Sequence, residues 1–163
     1  MKIILCIGLI ALCGYIGFSI SKHYIERKKF YFNFLNFLNE LKTDINFSAK
    51  KLDNILNQVN FQCKQFFVLL NNYRNCLYMD TQIDKAVLFK DINILSEQEK
   101  ESTYDFFKSL GKLDVFNQVS SIDNFIKTTH EYYKIAQEDS KKYRSLYTKL
   151  GIIIGTFVAL IIM

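Results

Sequence analysis

Hydrophobic and polar residues are segregated along this 163-residue chain. Two uncharged apolar runs, Ile3 to Ile20 and Ile152 to Met163, flank a middle that contains every acidic residue. The first run is long enough to span a bilayer as a helix, and no small-residue cleavage site follows it. The last run measures about 21 Å as a helix from Leu150 onward, and it lengthens toward Leu146 if Lys149 reaches the interface. The pattern therefore predicts an anchor at each end.

Each apolar run has a second interpretation. The first could be a signal peptide, and the last could be the core helix of a soluble domain. Basic clusters at 22–29 and 141–149 flank the runs on their inner sides, which favours anchors with a cytoplasmic middle. We therefore expect a transmembrane helix at 1–21, a cytoplasmic helical domain at 22–148 and a C-terminal transmembrane helix at 149–163, with both chain ends outside.

The middle is expected to be all-α. It has no proline and one glycine, whereas a sheet needs turn residues every few positions. Helical spacing of apolar residues predicts six helices, of which the first and last run unbroken into the anchors. The expected inward positions are, helix by helix, Tyr31, Phe34, Leu38, Leu41 and Ile45, broadened by Phe30 and Phe37; Leu52, Ile55, Leu56 and Val59; Phe66, Leu69, Leu70, Tyr73 and Leu77; Ala86, Val87 and Ile92; Tyr104, Phe107 and Leu110; and Val115, Val119, Ile122, Ile126, Thr129, Tyr133 and Ala136.

Local signals mark several helix ends. Ser96 and Glu99 form a capping box at the start of the fifth helix, and Gly111 should end that helix. The expected N-caps are Ser48 for the second helix, Asp80-Thr81 for the fourth and Asp114 for the sixth. The predicted fold is a six-helix cytoplasmic bundle with N-terminal and C-terminal transmembrane helices continuous with the first and last bundle helices.

Small residues recur every four positions in both apolar segments, a pattern that lets helices approach closely in lipid. Either the two segments pack together or each meets a partner, and small residues are also common in membrane helices generally. The sequence leaves these alternatives open. The two rows are Cys13, Gly17 and Ser21, and Gly151, Gly155 and Ala159.

Composition and motifs bear on function more than on fold. Lys and Arg alternate with Asp and Glu in the middle, so the concentrated basic face of a nucleic-acid-binding protein is missing. The four cysteines include no CxxC pair, and His23 and His130 lie far from them, so no metal site is predicted. The middle has neither a phosphate-binding glycine loop nor a nucleophile signature. We expect no cofactor, no nucleic acid and no enzymatic activity.

Three patches of the sequence carry a family resemblance. The first is Gly17-Phe18, Lys22 and Glu26-Arg27 followed by Leu38, Leu41, Asp44-Ile45 and Phe47; the second is Leu110-Gly111 with Asp114 and Gln118; the third is Lys142 to Tyr147 with Leu150-Gly151 and Gly155. Together they resemble the stage III sporulation protein AB family over the whole chain. Asp44, Lys51 and Leu113 depart from the usual family residues, as does the spacing between Leu146 and Leu150.

The resemblance implies an endospore-forming bacterium and a place in the mother-cell membrane surrounding the forespore. It implies a cytoplasmic domain similar to that of the type II secretion platform protein F. The implied partners are a cytoplasmic secretion-type ATPase and other membrane proteins of the same sporulation complex, with membrane lipid around the anchors. The implied role is a non-enzymatic platform or scaffold in a secretion-like channel complex, which docks or couples the ATPase to the membrane assembly.

Two rival functions remain at this point. One is a membrane-anchored helical signalling or adaptor protein, and the other is a cryptic membrane enzyme, which would need a buried, perturbed carboxylate pair. Headgroup contact and topology explain the membrane-flanking charges as well as partner contact does. The candidate residues are Glu26, Arg27, Lys142 and Arg144 for polar contact, and Tyr143, Gly151 and Gly155 for packing of the anchors.

Overall fold

The computed structural model describes residues 2–47, 63–78, 83–112 and 114–162. Across these ranges the regular structure is helical and contains no strand, which confirms the all-α prediction. The predicted second helix and the predicted caps Ser48 and Asp80 lie outside the described residues, so the six-helix arrangement stays a prediction. The described helices are α1 (Lys2–Phe47), α2 (Lys64–Tyr78), α3 (Lys85–Leu88), α4 (Glu97–Ser109) and α5 (Val115–Ile162).

The first and last helices are unusually long. α1 has 46 residues and α5 has 48, and each is a single helix, as the sequence predicts. By length and composition, one helix in the described part of the chain, Val115–Ile161, is apolar enough to span a membrane. A second crossing through α1 stays a prediction, and so do the expected boundaries of the membrane segments.

The chain divides into two compact units. The first unit combines Met1–Lys28 with Lys134–Met163, and the second is Lys29–Tyr133. α1 and α5 each contribute one stretch to both units, whereas the three shorter helices belong to the second unit alone.

Aromatic packing around Phe34 holds the second unit together. The Phe34 ring centroid lies 5.2 Å from that of Phe66 on α2, 6.0 Å from Phe107 on α4 and 5.4 Å from Phe125 on α5. Four helices therefore meet at one fully buried side chain of α1. Burying a ring of this size stabilises the fold by roughly 2–3 kcal/mol. The predicted inward row of α1 is confirmed as far as Leu41, since Phe30, Tyr31, Phe34, Phe37, Leu38 and Leu41 are buried, whereas Ile45 is only half-buried.

Several predicted inward positions are wrong by one residue or by one turn. Leu77 is 45% exposed, and its neighbour Cys76 is buried instead, because the inward row of α2 continues three residues after Tyr73 rather than four. Val115 is 61% exposed at the first turn of α5. The buried row of that helix is well established only from Ile122 onward.

The predicted fourth helix is also shorter than expected. α3 spans four residues, and Ile92, which the prediction placed on it, lies beyond its end. Ala86 and Val87 are exposed, whereas Leu88 is fully buried. Asp84 is the N-cap of α3, and its side chain accepts a hydrogen bond from the Ala86 N–H at 3.0 Å.

The capping signals predicted for the fifth and sixth helices are confirmed. The Ser96 N–H donates to a Glu99 carboxylate oxygen at 2.7 Å, and the Glu99 N–H donates to the Ser96 hydroxyl oxygen at 3.4 Å, which completes the capping box of α4. Gly111 follows the end of α4 with a φ of 79°, a conformation that favours glycine. At the start of α5 the Asn117 N–H donates to Asp114, and hydrogen bonding to Asn117 lowers the pKa of the Asp114 carboxyl.

The hydroxyl of Tyr73 is a polar group buried in the second unit. Its side chain is fully buried, with its ring centroid 4.5 Å from that of Phe107. Its hydroxyl has no hydrogen-bond partner among the described residues. Burial raises the pKa of this phenol above its ordinary value, so it stays neutral.

We expect Tyr73→Phe to raise the free energy of unfolding by about 1–2 kcal/mol, because it keeps the ring and removes a buried, unsatisfied hydroxyl. Tyr104→Phe is the matched control, since the Tyr104 hydroxyl donates to the Ile83 carbonyl at 3.0 Å. That substitution should lower the free energy of unfolding by about 1 kcal/mol. Urea unfolding of the full chain in detergent, followed by circular dichroism, measures both; a loss of stability in both variants would contradict the prediction.

Candidate functional site

The first unit is an antiparallel pair of helical segments, α1 up to Lys28 and α5 from Lys134, which we call the helix pair. Gly17 approaches Tyr147, and further toward the chain ends Ile10 approaches Gly155. The two rows of small residues therefore face each other. Of the alternatives that the sequence leaves open, the structure shows the apolar segments packed together.

Three glycines allow this close approach. A Cβ at any of them would fall within 2.9 Å of a backbone atom of the other helix, a separation that real Cβ atoms do not reach. Backbone atoms cannot rotate away as the end of a side chain can, so each position requires glycine. The three contacts would be from Gly17 to the Tyr147 carbonyl oxygen, from Gly151 to the Cys13 carbonyl oxygen at 2.6 Å and from Gly155 to the Ile10 Cα at 2.9 Å.

An aromatic stack adjoins the glycine contacts. The Tyr24 ring of α1 stacks on Tyr143 of α5 with centroids 4.7 Å apart, and it lies 6.0 Å from the Tyr147 ring. His23 contacts the edge of Tyr24 at 5.6 Å. A hydrogen bond with the Tyr147 side chain and, to a smaller extent, partial burial raise the pKa of Tyr24. The Tyr24 hydroxyl is therefore uncharged at neutral pH, which suits a ring that lies between an apolar and a basic zone.

An ion pair joins the two helices on the far side of the stack. The Arg27 guanidinium lies 3.2 Å from an Asp139 carboxylate oxygen, with side chains that are 18% and 30% exposed. A pair this accessible to solvent contributes at most about 1 kcal/mol. Arg27, expected to make a polar contact with a partner, thus makes one within its own chain. Its neighbour Glu26 is half-buried.

Two of the candidate residues point to solvent instead. Lys142 and Arg144 are exposed. The Lys142 ammonium lies 5.4 Å from the ring centroid of Tyr143, the same ring that stacks on Tyr24. Apart from Glu26, which is half-buried, the candidates therefore fall into an inner group and an outer group. The inner group is Arg27, Tyr143, Gly151 and Gly155, and the outer group is Lys142 and Arg144.

Sequence reasoning missed Tyr24 and Asp139. The signal for Tyr24 was present, because the row of Cys13, Gly17 and Ser21 reaches it with one further step of three residues. Asp139 had no such signal. It becomes visible only when the two small-residue rows are set against each other in antiparallel register, which places residue 139 beside Arg27.

The described residues offer little for bond-making chemistry. No group of three or more His, Cys, Asp or Glu side chains in this part of the chain could hold a metal ion. Glu99 is the buried carboxylate of the described residues, and it serves the capping box of α4. That the protein binds no cofactor and catalyses no reaction stays a prediction.

Comparison with known proteins gives one match. The family model for stage III sporulation protein AB matches residues 2–163, and so includes both stretches of the helix pair and the whole second unit. No curated protein and no solved structure matches the chain. The expected likeness to the type II secretion platform protein F stays a prediction.

We expect Gly17→Val to destabilise the helix pair by about 2–3 kcal/mol, because the new side chain meets the Tyr147 backbone. For a chain of this size the thermal midpoint should fall by roughly 5–10 °C. Gly8→Val is the control, since a Cβ at Gly8 has nothing within 4 Å. Circular dichroism of the full chain in detergent measures both midpoints, and equal losses in the two variants would show that the close contact is not the cause.

Proposed function

Because the chain belongs to the stage III sporulation protein AB family, we propose that it is a non-enzymatic platform component of a sporulation secretion-like channel complex. In this role it docks or couples a cytoplasmic secretion-type ATPase to the membrane assembly. It crosses the mother-cell membrane around the forespore twice, and most of the chain lies in the cytoplasm. Other membrane proteins of the complex and the surrounding lipid are its further partners.

The helix pair is the observation that carries this proposal. Its two segments are antiparallel and held in one register by glycine contacts. In this arrangement Lys22 and Arg27 of α1 and the basic residues at 141–149 of α5 belong to the same end of the pair, with the apolar runs at the other end. Two crossings that share one basic end agree with a cytoplasmic location of that end.

The second unit supports a docking role rather than a ligand-binding one. Its centre is filled by packed rings, such as Phe106 and Phe125, whose planes are 6° apart and whose centroids are 4.2 Å apart. Exposed acidic and basic residues pair on its surface, for example Lys42 with Asp123 at 2.6 Å. A well-packed helical unit with a mixed polar surface is suited to contact with another protein.

Continuous helices also bear on the alternative function. α1 and α5 run unbroken from one unit into the other, a property that a membrane-anchored signalling or adaptor protein would share. The two functions differ in their partner, because the platform requires the ATPase and the signalling protein does not.

If the chain is a platform component, the secretion-type ATPase should retain it when the tagged ATPase is purified from detergent-solubilised sporulating cells. An unrelated cytoplasmic ATPase with the same tag is the control and should retain none. Quantitative mass spectrometry of the eluates measures the ratio. Recovery at the level of the control would count against ATPase docking and would leave the signalling or adaptor function.

The proposed topology predicts different protease sensitivity in vesicles of opposite orientation. Lys90 is an exposed trypsin site in the turn after α3. Trypsin should cleave the second unit in inside-out vesicles and leave it intact in right-side-out vesicles, as seen by immunoblotting. Addition of detergent should expose the site in both preparations. Protection in the inside-out vesicles alone would reverse the topology.

A further inference from the structure

The outer face of α5 in the helix pair carries a shallow groove with a volume of about 350 Å³. Toward Lys142 the lining of the groove is mostly basic and polar, with Leu146 among these residues, and toward Ile153 it is apolar. Its lining residues are Lys142, Ser145, Leu146, Lys149, Leu150 and Ile153.

This face is turned away from α1. Lys149 and Ile153 each lie two residues from Gly151, which places them about 160° around the helix from the glycine contact at 100° per residue. Leu146 is 40% exposed, Leu150 is 42% exposed and Ile153 is 58% exposed. Three large apolar side chains thus line an open surface next to two lysines.

The two lysines are available for an external anion. After Asp139 the chain has no acidic residue, and Asp139 itself is held by Arg27. Neither Lys142 nor Lys149 has a carboxylate partner among the described residues. Ser145 lies between them on the same face and adds a hydroxyl donor. Lysine binds phosphate as a point charge, without the fixed geometry that arginine imposes.

We propose that this groove binds an anionic phospholipid, with the phosphate at Lys142, Ser145 and Lys149 and the upper acyl chains along Leu146, Leu150 and Ile153. A soluble anion would leave the apolar half of the groove against water, and a zwitterionic lipid brings its own cation beside the lysines. The inference rests on the proposed membrane location and adds a lipid class to it. Each lysine near an anionic headgroup contributes about a fivefold increase in affinity.

The test is a titration of phosphatidylglycerol into the detergent-purified full chain, with bound lipid counted by native mass spectrometry. The variant Lys142→Gln/Lys149→Gln should bind this lipid roughly twenty-five-fold more weakly than the unaltered chain. Lys134→Gln/Lys141→Gln is the matched control, because it removes the same charge from exposed lysines seven residues apart on another face of α5. The control should stay within about threefold of the unaltered chain.

Phosphatidylcholine and inorganic phosphate serve as comparison ligands. The proposal is supported if the unaltered chain binds both ligands more weakly than phosphatidylglycerol, and if Lys142→Gln/Lys149→Gln alone loses phosphatidylglycerol binding. Three results would overturn the proposal. Equal losses of phosphatidylglycerol binding in the two double variants would show that overall charge is the cause, and equal binding of phosphatidylcholine would show that apolar contact is. Equally tight binding of inorganic phosphate would show that the groove is a site for soluble anions.

ATPase capture with the same variants separates this inference from the proposed function. If the unaltered chain shows no preference for phosphatidylglycerol but still co-purifies with the ATPase, the lipid site alone fails. If the preference is present and ATPase capture is absent, the platform function fails and the lipid site stands. Helicity measured by circular dichroism should be unchanged in both double variants, because all four lysines are exposed.

Discussion

The backbones of α1 and α5 approach so closely in the helix pair that only glycine fits at the contacts, and the rest of the pair depends on this. A Cβ at Gly17 would overlap the Tyr147 carbonyl oxygen. One register satisfies all three glycine contacts, and that register brings Tyr24 onto Tyr143 and Arg27 beside Asp139. The stack and the ion pair each contribute only about 1 kcal/mol, so they reinforce an alignment that the glycines set.

This constraint also decides which surface of α5 remains available. Gly151 and Gly155 are buried against α1, so a ligand or partner cannot use the small-residue face without displacing a helix of the same chain. The opposite face keeps Lys142, Lys149 and exposed apolar side chains. Packing within the chain thus leaves the outer faces of the pair as the accessible surfaces, where the proposed lipid or protein contacts would be made. Tyr143 and Arg27 serve its interior.

Much of the fold followed from local and periodic signals. Phe34 and Leu41 were assigned to the core by their spacing, and Ser96 with Glu99 marked a helix start that needs no distant contact. Errors arose where periodicity identifies a face only to within one residue, as at Leu77. In the site, the small-residue rows were visible, but the sequence could not say what they contact. That depends on pairing between residues more than a hundred positions apart, such as Arg27 and Asp139.

The same contact bears on the choice between a platform and a signalling protein. A helix that passes a signal by rotating must exchange one set of contacts for another of similar stability. Rotating α5 by one residue would bring Leu150 or Ile152 to the place of Gly151, where even a single Cβ lies too close to the Cys13 carbonyl oxygen. No second arrangement of comparable packing is therefore reached by rotating α5 by one residue, or about 100°, in either direction. A pair with one permitted register holds its two apolar segments in a fixed alignment, which favours the proposed platform over signalling by helix rotation.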